Sequence, residues 1–128
     1  MLFRSVESEC AVYEARTGMR VAVEVAPIPA MLRDGLAIGV FRILQEGLRN
    51  IEKHSRATLV HVTLSCTRNR LRLTIRDDGV GFDIGRLNGS PTLGLKHIAE
   101  RTRLLGGVMK VRSRPRIGTT LDMQAPLR

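Results

Sequence analysis

Two groups of residues in this chain have types and spacings that suit chemistry. The first is Glu46, Asn50, Lys53 and His54, within one apolar-patterned segment. If that segment is helical, Glu46, Asn50 and Lys53 fall in one narrow stripe beside the apolar face, with His54 near its edge. An amide or carboxylate oxygen there can ligate a hard cation such as Mg²⁺. A carboxylate one turn away can orient or deprotonate a nucleophile. The plain alternative is a solvated helix face with pairs one turn apart. The second group is Asp77-Asp78-Gly79-Val80-Gly81-Phe82. Alternate glycines let the backbone turn tightly and approach a ligand. A carboxylate at the mouth of the turn can accept hydrogen bonds from a ligand amine, with room for a flat ring beside it. The plain alternative here is an Asp-Gly hairpin turn.

The elements that must position these residues follow from periodicity. Leu2 to Arg16 fits an amphipathic helix closed by Thr17-Gly18. Arg20 to Val25 fits a strand, ended by Pro27 and Pro29. From Met31 to His54, Leu36, Val40, Ile43, Leu44, Gly47, Leu48 and Ile51 recur at helical spacing. Thr58 to Leu64 and Arg70 to Arg76 alternate as strands around an Arg68-Asn69 turn, and His61 is expected on the strand surface. Asp83 to Leu93, with Gly85, Asn88, Gly89, Ser90 and Pro91, has loop composition, and its length suits a lid. Gly94 opens a helix, Leu95 to Leu105, stopped by Gly106-Gly107. Free N–H groups at such a helix start can bind phosphate, with Lys96 and Arg101 nearby. Gly94 serves equally as a simple helix entry. Two strands, Val108 to Arg112 and Thr119 to Gln124, close the chain.

Bulk properties exclude several classes. A length of 128 residues indicates one domain, residues 1–128, with 43% hydrophobic residues to build a core. No apolar run approaches the ~20 residues that span a bilayer, and the N-terminal segment has no signal-peptide pattern. Cys10 and Cys66 lack metal-ligand spacing and read as reduced thiols of a cytoplasmic protein. The net charge of +9 and pI near 11.2 attract polyanions. Aromatics at 3% and the absence of Trp argue against a single-strand stacking platform. No GxxxxGK[ST] run is present, which disfavours a P-loop.

Glu46-x-x-x-Asn50-x-x-Lys53-His54, then Asp77 to Phe82, then Leu93-Gly94-Leu95, then Gly106-Gly107 and Gly118-Thr119, stand in one order. That order resembles the ATP-binding catalytic domain of two-component sensor histidine kinases, within the gyrase, Hsp90, histidine kinase and MutL ATPases. It is most similar to the subgroup signalling to response regulators with helix-turn-helix outputs. The resemblance covers about residues 36 to 126. It implies a two-layer α/β sandwich of the Bergerat type: a mixed, mostly antiparallel sheet with three helices on one face. It also implies ATP and Mg²⁺ as ligands. By this resemblance Asp77, not Asp78, accepts the adenine amino group, and Gly79, Gly81 and Phe82 line the adenine pocket. Asn50 holds Mg²⁺ against the triphosphate, and Glu46 assists phosphoryl transfer. Lys53 and His54 match positions near the phosphates. Gly94 and Leu95 match the head of the phosphate-side helix, and Thr119 supports Asp77.

Thr92 departs from the pattern, standing where the lid's first glycine often stands, and Ile51 and Glu52 are bulkier than usual. None of the three histidines, His54, His61 and His97, lies in a phosphoacceptor motif. The resemblance therefore implies a catalytic domain that donates phosphate to a histidine on a separate dimerisation domain, with a response regulator downstream. Such a domain is expected to be a cytoplasmic monomer, part of a parent kinase that is free or membrane-anchored, contacting neither nucleic acid nor membrane itself. Two rival readings are an anti-sigma-factor-type serine kinase or ATPase on the same fold, and a basic nucleic-acid-binding module.

Overall fold

The computed structural model describes residues 2–54, 56–80 and 93–128. The helices are α1 (Leu2–Thr17), α2 (Leu36–His54) and α3 (Leu93–Leu104). The strands are β1 (Arg20–Val25), β2 (Leu59–Thr67), β3 (Arg70–Asp77), β4 (Val108–Arg114) and β5 (Gly118–Pro126). They form a five-stranded sheet in the order β1-β2-β3-β5-β4. Only the β1–β2 pair is parallel, joined by the α2 crossover; the other pairs are antiparallel. The expected two-layer α/β sandwich is the observed one.

Strand alternation decides which side chains enter the core. Val60, Val62 and Leu64 of β2, Leu71, Leu73 and Ile75 of β3, and Leu121, Met123 and Ala125 of β5 are all buried. Their chain neighbours point the other way. The buried set packs against Leu36, Val40, Ile43, Leu44, Leu48 and Ile51 of α2, Leu95 and Ile98 of α3, and Val6, Cys10 and Tyr13 of α1. The recurrence of α2's apolar residues at three and four positions is what lets one helix face close the sheet.

One boundary differs from the sequence reading. Helix α2 begins at Leu36 rather than Met31, because Gly35 adopts a φ of +82°. Leu36 N–H instead bonds the Arg33 carbonyl at 3.2 Å, closing a turn. Met31 is left 91% exposed, so the apolar residues that extended the pattern do not extend the helix. At the other helices and strands the ends shift by a few residues. Asp83 to Leu93, read as a lid, lies outside the described residues as far as position 92; Leu93 already belongs to α3. Both cysteines are free, and burial pushes the Cys10 thiol up to about 12, helped by Glu9, Glu14 and Glu7. Among the described residues no helix is long and apolar enough to cross a membrane.

The insertion of β5 between β3 and β4 brings its first residue against the end of β3. Gly118 has a φ of +134°, and a Cβ on it would collide with the Asp77 carbonyl oxygen and approach Asp78 Cα to 3.2 Å. The backbone must be bare there, both for its conformation and for its neighbour. We expect Gly118→Ala to cost about 1–3 kcal/mol. Urea unfolding should show a lowered midpoint with an unchanged m-value, and a variant as stable as the parent would contradict the crossing.

Candidate nucleotide site

The end of β3 presents two adjacent carboxylates to opposite sides. Asp77 continues the inward row of Leu71, Leu73 and Ile75 and is 5% exposed. Its Oδ1 accepts the Gly79 N–H at 2.8 Å, which fixes the turn after the strand. Asp78 faces out. Its carboxylate accepts the N–H of Thr58 at 2.9 Å, the hydroxyl of Thr58 at 2.8 Å and the N–H of Leu59 at 3.0 Å. It thereby ties β3 to the start of β2, and the Leu59 and Thr58 donors hold its pKa below the usual carboxylate range. Asp78 is thus engaged by the scaffold, while Asp77 is the acid on the helix side.

Thr119 stands directly across from Asp77 in the β3–β5 register. Its hydroxyl lies 2.8 Å from the Ser113 hydroxyl of β4, and Ser113 Oγ donates to the Gly118 carbonyl at 3.3 Å. Ser113 was not singled out in the sequence; only its inward register on β4 reveals it. The Arg116 N–H reaches the Val80 carbonyl, so the β4–β5 turn also clasps the segment beyond Asp77.

The second cluster forms where α2 meets the start of α3. A Cβ on Gly94 would lie 3.1 Å from Asn50 Oδ1 and 3.2 Å from Glu46 Oε1. The glycine therefore lets the α3 backbone approach both polar side chains. Arg49 folds back to donate to Glu46 Oε2 at 3.0 Å, and His97 Nδ1, from the first turns of α3, lies 3.9 Å from Glu46 Oε1. Neither Arg49 nor His97 was assigned to the site by sequence. Arg49 starts on the solvent side of α2, but its length carries the guanidinium back to Glu46. The stripe prediction holds for Glu46 and Asn50, both half-buried, while Lys53 is exposed at the same helix's last turn. Leu95 is 5% exposed and belongs to the core, so only its backbone faces the cluster. Gly79 is buried beside Asp77. Gly81, Phe82 and Thr92 lie outside the described residues, as does the side chain of His54.

A buried acid ends the central strand under α2, and two oxygen-bearing side chains meet a glycine-led helix beside it. Fold and site together define an ATPase domain of the sensor histidine kinase kind. The chain belongs to the histidine kinase-, DNA gyrase B-, and HSP90-like ATPase family, which matches residues 35–128. It is 32% identical over 116 residues to the histidine-protein kinase/phosphatase DegS of Brevibacillus brevis, covering 90% of this chain and 30% of that protein. It is 37% identical over 93 residues to the sensor histidine kinase LiaS of Bacillus subtilis, covering 73% of this chain and 26% of that one. The chain thus spans less than a third of these relatives. The fold superposes on the histidine kinase domain of the Erythrobacter litoralis EL346 blue-light activated kinase with a TM-score of 0.81 at 22% identity, covering 98% of this chain and 61% of that one. Full-length ShkA, solved in complex with AMPPNP, gives 0.77 at 24%, covering 98% and 29%.

The Asp78 clamp makes a pH prediction. Its pKa is lower in the folded state, so its stabilisation is present above the unfolded value of about 3.9 and is lost as pH falls through the folded value. Because the group is exposed, we expect Asp78→Asn to cost only about 1 kcal/mol at pH 7. Thermal melts of the two proteins should converge as pH falls through the folded value; a gap that persists in acid would show that the clamp is not carboxylate-dependent.

Proposed function

We propose that this chain binds Mg-ATP and donates the γ-phosphoryl group to a histidine on a separate dimerisation domain of its parent kinase. The observation that carries this reading is the pairing of a buried Asp77 with the Glu46–Asn50–Gly94 cluster, on the helix side of one sheet. Asp77 accepts the adenine amino group, a job that a guanine base, with a carbonyl at that position, would not satisfy. Gly79, with Gly81 and Phe82, leaves room for the ring, and Thr119 supports the Asp77 side of the pocket. Lys53 and the N–H groups at Gly94 and Leu95 serve the phosphates, and by the family pattern His54 is assigned to the same end of the site. ShkA, which shares this fold, was solved in complex with AMPPNP, which favours an adenine nucleotide as the ligand.

The residues present fit a magnesium ion. The Asn50 amide oxygen is a hard donor held beside a second oxygen donor, Glu46, and Mg²⁺ needs few protein ligands because phosphates and waters complete its shell. Asn50 would hold the ion, which would neutralise phosphate charge. Phosphoryl transfer demands positioning and electrostatic stabilisation more than covalent chemistry. Glu46, steadied by Arg49, then orients the incoming imidazole and accepts its proton as the N–P bond forms and the bond to the ADP oxygen breaks. The names of the relatives favour histidine over serine as acceptor. A response regulator with a helix-turn-helix output would receive the group next.

Calorimetric titration with AMPPNP and magnesium should show saturable binding that a guanine analogue does not reproduce. Asp77→Asn should abolish it while leaving the circular dichroism melt intact, since an amide oxygen can still accept the Gly79 N–H. Retained affinity in that variant would remove Asp77 from the pocket. Glu46→Gln should keep nucleotide affinity and slow transfer to a dimerisation-helix fragment by about 10²–10⁴-fold. The labelled product should be acid-labile phosphohistidine; acid-stable phosphoserine would reject the histidine-kinase reading.

A further inference from the structure

The face of the sheet away from the helices carries a second feature. The alternation that turns Ile75 and Asp77 inward turns Arg70, Arg72 and Arg76 of β3 outward, and Lys110, Arg112 and Arg114 of β4 likewise. All six are exposed. In register, Arg76 and Arg112 flank Thr120 from either side in one row across three strands. Arg114 follows two residues along, and these side chains line one side of a shallow cleft of about 330 Å³ that Asp77, Ser113 and Thr119 also border. Among the described residues only one carboxylate pairs with any of the six. Asp122 accepts Arg72 Nε at 2.9 Å and Nη2 at 2.6 Å in a two-pronged fork.

We propose that this open face is a docking surface for a carboxylate-rich segment of a partner protein, anchored by Arg76, Arg112 and Arg114. Three observations select that occupant. First, the face already binds one carboxylate in the bidentate geometry that guanidinium groups favour. Among the described residues no acid pairs with Arg76, Arg112 or Arg114, which repeat the donor. Second, five of the six cations are arginine, which recognises planar oxyanions directionally, whereas a general field would be met as well by lysine. Third, strands about 4.8 Å apart make a broad, gently twisted surface. Such a surface suits another protein better than a DNA groove, which takes a helix or narrow ribbon. Among the described residues the face also carries no Phe, Tyr or Trp on which bases would stack. Like charges this close repel one another in the free domain, and an acidic partner would relieve that repulsion.

The test is titration of the chain with poly-L-glutamate at 0.15 M salt, followed by amide chemical shifts. Duplex DNA and phosphatidylserine vesicles are titrated in parallel. Shifts should concentrate on β3, β4 and β5. The charge-reversal variant R76E/R112E/R114E should weaken binding at least tenfold, with AMPPNP affinity unchanged. The control R4E/R42E/R128E, with the same change in net charge, should lose no more than twofold. If charge reversal prevents folding, R76Q/R112Q should still weaken binding severalfold. Equal losses in target and control variants would reduce the effect to net charge and overturn the proposal. Tighter binding of DNA or vesicles than of poly-L-glutamate would overturn it too, assigning the face to nucleic acid or membrane instead.

Discussion

The crossing of β5 over the end of β3 is the constraint on which the site depends. A strand inserted between two others must start where its neighbour stops, and here Gly118 passes directly over the Asp77 peptide. Nothing larger than hydrogen fits. The turn that feeds β5 is then held by the Arg116 bond to Val80, and its first side chains by the Thr119–Ser113 contact. Asp77 is consequently fixed from three directions: by its own strand, by β5 across from it, and by the Gly79 N–H on its carboxylate. A buried acid is expensive unless hydrogen-bonded. Rigid surroundings let such a group keep an acceptor oxygen aimed at one point, and that is the property base recognition requires.

Adjacent carboxylates show how strand geometry separates scaffold from site. Asp77 and Asp78 are chemically the same, but successive strand residues face opposite sides. One enters the helix-covered layer, and the other meets Thr58 and Leu59 at the start of β2. The outer acid closes the end of the β2–β3 pair, beside the inner acid. Exchanging their roles would take a one-residue register slip, which would also drive Leu71, Leu73 and Ile75 into solvent.

Much of this was legible in the sequence because periodicity carries it. Alternation revealed β3 and its inward row, and the three-and-four spacing revealed the buried face of α2. The early helix start at Met31 followed from the same rule, since Met31 and Leu32 continue the apolar count; a positive φ at Gly35 leaves no trace in that count. Contacts between elements were less legible. Ser113 beside Thr119, His97 beside Glu46 and the reach of Arg49 depend on how β4, α3 and α2 sit against one another. Periodicity gives a residue's face but not what stands opposite it. Gly94 was legible only as the opening of a helix; that its bare backbone approaches Asn50 and Glu46 depends on how α2 and α3 meet.

The two faces of the sheet also change how the chain's positive charge should be read. A net charge of +9 suggests a field drawing in a nucleotide. Yet Arg70, Arg72, Arg76, Lys110, Arg112 and Arg114 stand on the side away from α2 and α3. The screening length at physiological salt is about 8 Å, so charges on the far side, reaching through solvent around the sheet edge, are largely spent before they reach the helices. On the proposed function, attraction of phosphates to the helix side would come from residues already there, such as Lys53, Lys96 and the start of α3. The greater part of the excess charge is then unexplained by nucleotide binding. Its concentration on one open face, with Arg72 alone paired to an acid among the described residues, is what a second, acidic ligand would require.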